Sequence, residues 1–83
     1  TSAYPNPFNP STTIDYSVAD DINNLQINIY DIQGRFIDQL HSGKQSKGEY
    51  QLVWNASRFA SGVYFIHMIA NEHVFTKKVM LVK

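Results

Sequence analysis

The chain has 83 residues, 43% of them hydrophobic and 17% charged, enough for one compact domain and too few for two. Seven basic and seven acidic side chains cancel, so no overall field draws in nucleic acid or an anionic membrane. There is no cysteine, hence no disulfide framework and no thiolate metal site, and no run of eighteen apolar residues reads as a membrane span.

Thr1, Ser2 and Ala3 lead into prolines rather than into an apolar signal segment. Tyr4-Pro5-Asn6-Pro7-Phe8-Asn9-Pro10 removes backbone donors and holds the preceding residues extended or in turns, so residues 1–12 read as a proline-rich lead-in to a single domain spanning 1–83. Alternation then begins. Ile14, Tyr16 and Val18 share one face of a half-buried strand, and Asp15 and Ser17 take the other. Asp20, Asp21, Asn23 and Asn24 favour a reversal, because short polar side chains bond to nearby backbone. Leu25, Ile27 and Ile29 alternate with Gln26, Asn28 and Tyr30 in a second strand.

Asp31-Ile32-Gln33-Gly34 fits a type I turn followed by a residue able to take positive φ. Residues 35–40 read as the return strand; Phe36 and Leu40 share parity while Ile37 does not, which predicts a bulge or a strand covered on both faces. The polar stretch 41–48, with Gly43 and Gly48, reads as a surface connection. Tyr50, Leu52 and Trp54 resume alternation. Burying an indole of about 150–250 Å² is worth about 4–6 kcal/mol before entropy and polar costs, so Trp54 is expected at the centre. Residues 55–62 form a crossover loop carrying Phe59 as a core plug. Val63 to Ala70 sets Val63, Phe65, His67 and Ile69 against Tyr64, Ile66 and Met68, and Asn71-Glu72 reverses the chain into a final strand from His73 to Val82.

Six or seven short extended segments separated by turns, with no sustained helical period, predict an all-β protein of two sheets packed face to face. Leu25, Ile27, Ile29, Leu52, Trp54, Phe65 and Val79 are the central candidates.

Chemistry is scarce. His41, His67 and His73 lack metal-ligand spacing; His67 reads as a strand histidine packed beside tyrosines. The Asp20–Asn24 cluster, with Asp15, lacks the loop spacing of a calcium hand and reads as a solvated turn. Gly43-Lys44-Gln45-Ser46 lacks the glycines and the Lys-Ser/Thr pair of a phosphate loop, and no Gly-x-Ser-x-Gly elbow or recognisable carboxylate pair occurs. No enzyme activity and no cofactor are therefore expected. Tyr4, Tyr30 and Tyr64 are the candidates for an aromatic carbohydrate platform, with packing as the plainer role. Asn55-Ala56-Ser57 is a short N-glycan acceptor pattern that matters only in a host with that machinery. Lys77, Lys78 and Lys83 crowd the last strand, where they form a docking patch or simply discourage sheet-to-sheet association.

Several landmarks together resemble one family. They are Tyr4-Pro5-Asn6-Pro7-Phe8-Asn9-Pro10-Ser11-Thr12-Thr13-Ile14, Ile29-Tyr30-Asp31-Ile32-Gln33-Gly34-Arg35, Trp54-Asn55, Ser61-Gly62-Val63-Tyr64-Phe65 and Lys77-Lys78-Val79-Met80-Leu81-Val82-Lys83. In this order they are similar to the type A C-terminal sorting domains of the bacterial type IX secretion system. The chain also resembles the immunoglobulin-like domain of flagellar hook-capping proteins, but the Asn-Pro-Phe-Asn-Pro opening and the basic, apolar ending favour the sorting family.

The resemblance implies an immunoglobulin-like β-sandwich of about seven short, mostly antiparallel strands, at the C-terminus of a larger exported protein from Bacteroidetes or related lineages. It implies a non-catalytic module that folds in the periplasm, is recognised by an outer-membrane translocon and a shuttle protein, and directs its fused upstream cargo to the outside or the cell surface, often with removal by a peptidase. The domain in isolation is expected to be a monomer that binds no nucleic acid. Lys77, Lys78, Val79, Met80, Leu81, Val82 and Lys83 carry over as the machinery-recognition segment, and Gly34, Leu52, Trp54, Gly62, Tyr64 and Phe65 as core and turn residues. The alternative reading is an immunoglobulin-like accessory module that spaces domains or binds carbohydrate or protein.

Overall fold

Alternation resolves into seven strands in the computed structural model, which describes residues 2–83. They are β1 (Ser2–Tyr4), β2 (Ser11–Val18), β3 (Ile22–Asp31), β4 (Phe36–Gln45), β5 (Gly48–Asn55), β6 (Gly62–Ala70) and β7 (His73–Leu81). A three-stranded sheet runs β1-β2-β5 and a four-stranded sheet β4-β3-β6-β7, with all strand pairings antiparallel. The two sheets close on each other as an immunoglobulin-like sandwich.

The interior follows from period-two patterning. Ala3, Ile14, Tyr16, Val18 and Trp54 from the smaller sheet meet Leu25, Ile27, Ile29, Tyr64, Ile66, Met68, Val79 and Leu81 from the larger one. Trp54 is only 1% exposed, with Phe8, Phe59 and Tyr64 rings at 5.5, 6.0 and 5.4 Å. Phe59, on the crossover loop, is the partly buried member of that aromatic group. Two strand starts are pinned alike. The Tyr64 hydroxyl donates to the Ala60 carbonyl at 2.6 Å, and the Tyr50 hydroxyl to the Ser46 carbonyl at 2.6 Å. Each ring thereby satisfies its one polar atom while its body packs, the logic of the tyrosine corner in immunoglobulin-like domains.

Two expectations need correction. The stretch 41–48 is mostly strand: β4 runs to Gln45, leaving only Ser46 and Lys47 to cross to the other sheet. Its polar side chains are tolerated because β4 is an edge strand, and Ser42 and Gln45 find backbone partners opposite Gln26 and Ile22. Phe65 is not central. Ile66 sits opposite the inward-facing Ile29, so alternation sends Phe65 to the outer face, where it is half-buried. The proline-rich lead-in contains β1, the core residue Phe8 and the first two residues of β2. Leu52 lies half-buried against the core.

The parity conflict in β4 has a definite cause. Ile27 faces His41 but Asn28 faces Gln39, which leaves Leu40 extra; Ile29 faces Asp38 but Tyr30 faces Phe36, which leaves Ile37 extra. These two bulges let Ile37 and Leu40 both pack on the core and leave Phe36 exposed.

Candidate functional site

The final strand is fixed from two directions. Alternation sends Val79 and Leu81 into the core, each 1% exposed, and burial of such side chains is worth about 1.5–3 kcal/mol apiece. Along its free edge, the proline-rich opening lies on β7 like a further strand. The Phe8 N–H donates to the Met80 carbonyl and the Val82 N–H to the Phe8 carbonyl, both at 2.9 Å. The Asn6 side chain continues the pattern, its amide donating to the Lys78 carbonyl at 3.1 Å and its oxygen accepting the Met80 N–H at 3.0 Å.

This clamp was missed in the sequence, although its signal is present. Prolines cannot donate within a sheet, so a proline-flanked asparagine supplies through its side chain the donor and acceptor that a peptide unit would. Phe8, the one large apolar residue between Pro5 and Pro10, is the anchor and is 2% exposed.

Along the clamped part of the final strand the outward side chains form a short row. Lys78, Met80 and Val82 are exposed, with Met80 beside Val63 and Lys78 beside Phe65 on the neighbouring strand. The outer face continues through Tyr30, whose ring lies 6.0 Å from Phe36 and 4.7 Å from His67. Lys77 belongs to the opposite, core-facing row and is half-buried. Lys83 is tethered: its N–H donates to Ser61 Oγ at 3.0 Å and its ammonium to the Ser57 carbonyl at 2.6 Å. Among the described residues the only ion pair is Arg35–Asp31, so the ammonium groups of Lys77 and Lys78 face no carboxylate partner.

Of the residues carried over for folding, Phe65 borders this row beside Lys78. Gly34 takes φ +82° and donates to the Asp31 carbonyl at 3.0 Å, closing the β3–β4 turn. Asp31 organises that turn. Its carboxylate accepts the N–H groups of Gln33 and Arg35 at 2.9 Å each and the Arg35 guanidinium at 2.8 Å. The backbone N–H of Arg35 is the largest influence holding this carboxyl below its ordinary value; partial burial opposes it, and the Arg35 side chain and Gln33 N–H reinforce it. Gly62 opens β6 opposite Leu81, and Tyr64 follows in the core, its phenol pushed up first by burial and then by the Asp31 charge.

The tyrosines considered for a carbohydrate platform do not meet. Tyr4 lies on the outer face of the smaller sheet, Tyr30 on the outer face of the larger one, and Tyr64 inside. Among the described residues no group of three or more His, Asp or Glu side chains is placed to hold a metal ion. Asp21 instead accepts the Lys47 N–H at 2.8 Å, tying the β2–β3 turn to the crossing between sheets.

No curated protein and no solved structure matches the chain. Residues 2–83 match the family described as Secretion system C-terminal sorting domain. That match runs along nearly the whole length of the sandwich, from the proline-rich opening to the basic, apolar ending: the chain belongs to the C-terminal sorting domains of type IX secretion, non-catalytic modules that direct exported proteins to the outside or the cell surface.

Proposed function

We propose that the secretion machinery reads this domain through the outward row Lys78, Met80 and Val82, with Lys77 and Lys83 adding positive charge at its margins. Val79 and Leu81 act as the anchors that hold the row in register. The partners in this reading are an outer-membrane translocon and its shuttle protein, and the fused cargo is the passenger. A peptidase that removes the domain, and attachment of the cargo to the surface, belong to the same reading.

One observation carries it. The edge of β7 between Lys78 and Val82 is already hydrogen-bonded to Asn6 and Phe8, so recognition there has to use side chains, and those of Lys78, Met80 and Val82 are exposed. An ammonium beside exposed apolar groups is a suitable address, since it couples electrostatic attraction with an apolar contact that salt does not screen.

Deleting residues 77–83 is a poor test. It removes Val79 and Leu81 from the core, at a combined cost on the scale of the roughly 5–15 kcal/mol stability of a whole domain. The informative variant is Lys78→Glu with Met80→Glu in a cargo fusion. Thermal unfolding should stay within a few degrees of the parent, because both side chains are exposed, while exported cargo falls by about tenfold or more and accumulates in the periplasm. Undiminished export of this folded variant overturns the reading.

A further inference from the structure

The flank of the sandwich formed by β1 and β7 is closed over only part of its length. Asn6 and Phe8 cover β7 from Lys78 to Val82, and β1 covers β2 from Thr13 to Asp15. Among the described residues nothing covers the rest. A groove of about 560 Å³ lies there, reaching from Ser17 on β2 to the first half of β7, with Ile66 and Met68 as its floor and Val74, Phe75 and Lys77 along its wall.

Three properties define what fits. First, the backbone is unpaired: the contacts of Phe8 with Met80 and Val82 show that even-numbered residues of β7 turn their N–H and C=O groups away from β6. By that alternation Val74 and Thr76 direct theirs to the open flank, where neither has a hydrogen-bond partner among the described residues. Second, a large apolar side chain stands open in it: Phe75, paired with the core residue Met68, is 53% exposed. Third, Lys77 is the only charged residue lining the groove, and it has no carboxylate partner among the described residues.

We propose that this groove docks an extended, acidic peptide segment of the secretion machinery, added as a strand to β7 at Val74 and Thr76. The proposal rests on the sorting role and adds a second contact, distinct from the outward row. Main-chain hydrogen bonds supply the pairing, alternate apolar side chains lie on Ile66, Met68 and Phe75, and a carboxylate meets Lys77. A second copy of this chain is a poorer occupant, because pairing two β7 edges brings the lysines of both copies together.

The test uses an end-capped eight-residue peptide of alternating threonine and valine with one central aspartate, added to the intact chain. Amide exchange at Val74 and Thr76 should slow, and replacing the aspartate by asparagine should weaken binding by about three- to tenfold. Thr76→Pro removes an outward donor that makes no bond within the domain, a place where an edge strand tolerates proline. It should unfold at the parent's temperature, lose peptide binding and reduce export of fused cargo by about tenfold or more. Lys77→Glu should weaken peptide binding by about tenfold, which keeps the proposal testable if the proline variant fails to fold.

Unchanged exchange at both amides on peptide addition overturns the proposal, as does normal export by a folded Thr76→Pro fusion. So does protection that grows with protein concentration without peptide, which assigns the slot to a second copy. Protection already complete in the full fusion alone assigns it to the cargo's own chain and overturns the proposal equally. The Lys78→Glu, Met80→Glu variant should retain peptide binding, so failure of the outward row and failure of the groove give different results.

Discussion

Trp54 shows how one side chain sets the thickness of the sandwich. Its indole meets Phe8 from the lead-in, Phe59 from the crossover loop and Tyr64 from the opposite sheet, so its removal opens a cavity that no single neighbour can fill. Trp54→Ala should cost about 3–5 kcal/mol in denaturant unfolding; a loss below about 1 kcal/mol would mean that the aromatic group is not the centre. The parity of Tyr50, Leu52 and Trp54 made this position readable, because strand alternation leaves only one inward choice. Asp31 was readable only as a turn residue. The sequence pattern did not disclose that its carboxylate gathers the N–H groups of Gln33 and Arg35 and the Arg35 guanidinium, since that depends on how the turn is wound. A carboxyl held below its ordinary value contributes stability that is fully present above the unfolded-state value of about 4 and lost as pH falls through the lower folded value. Asp31→Asn should therefore flatten the acid limb of a stability-against-pH curve below about pH 5, and an unchanged acid limb would remove the carboxylate from that role.

Regular strands were legible and irregular ones were not, for a physical reason. In β2, in β5 and in β3 from Leu25 onward each inward residue is followed by an outward one, so composition reports geometry directly. In β4 two extra residues shift the phase, and the polar stretch after His41 pairs through its backbone, which no side-chain pattern records. The lead-in hid its role still more completely, because prolines signal the end of ordinary pairing while the asparagine side chain restores it. Asn6→Ala should remove both side-chain hydrogen bonds to the β7 edge and destabilise the domain by about 1–2 kcal/mol. Amide exchange at Met80 should quicken, while exchange at the buried centre of β3 changes only in proportion to the global loss. Equal acceleration at Met80 and Ile27 would show that Asn6 acts through overall stability and not as an edge clamp.

In the proposed reading fold and address share one strand, and the division between them runs along its pleat. Val79 and Leu81 belong to the core, Lys78 and Met80 to the surface, and one residue of register separates the two sets. The motifs at the two ends of the chain, which carry the family resemblance, are distant in sequence and adjacent in space, joined at Phe8 and Leu81. Their adjacency itself was not legible, since a contact across more than seventy residues leaves no local period. This arrangement lets two kinds of export failure be told apart. Leu81→Ala should destabilise by about 2–5 kcal/mol and lower export by depleting folded domain, so cooler growth or a second, stabilising substitution should restore it. Lys78→Glu should leave thermal unfolding within a few degrees and lower export at every temperature, because the defect lies in the surface presented and not in the folded population. Measuring unfolding and exported cargo for both variants at two growth temperatures tests the division directly, and rescue of Lys78→Glu by cooling would show that this lysine supports the fold after all.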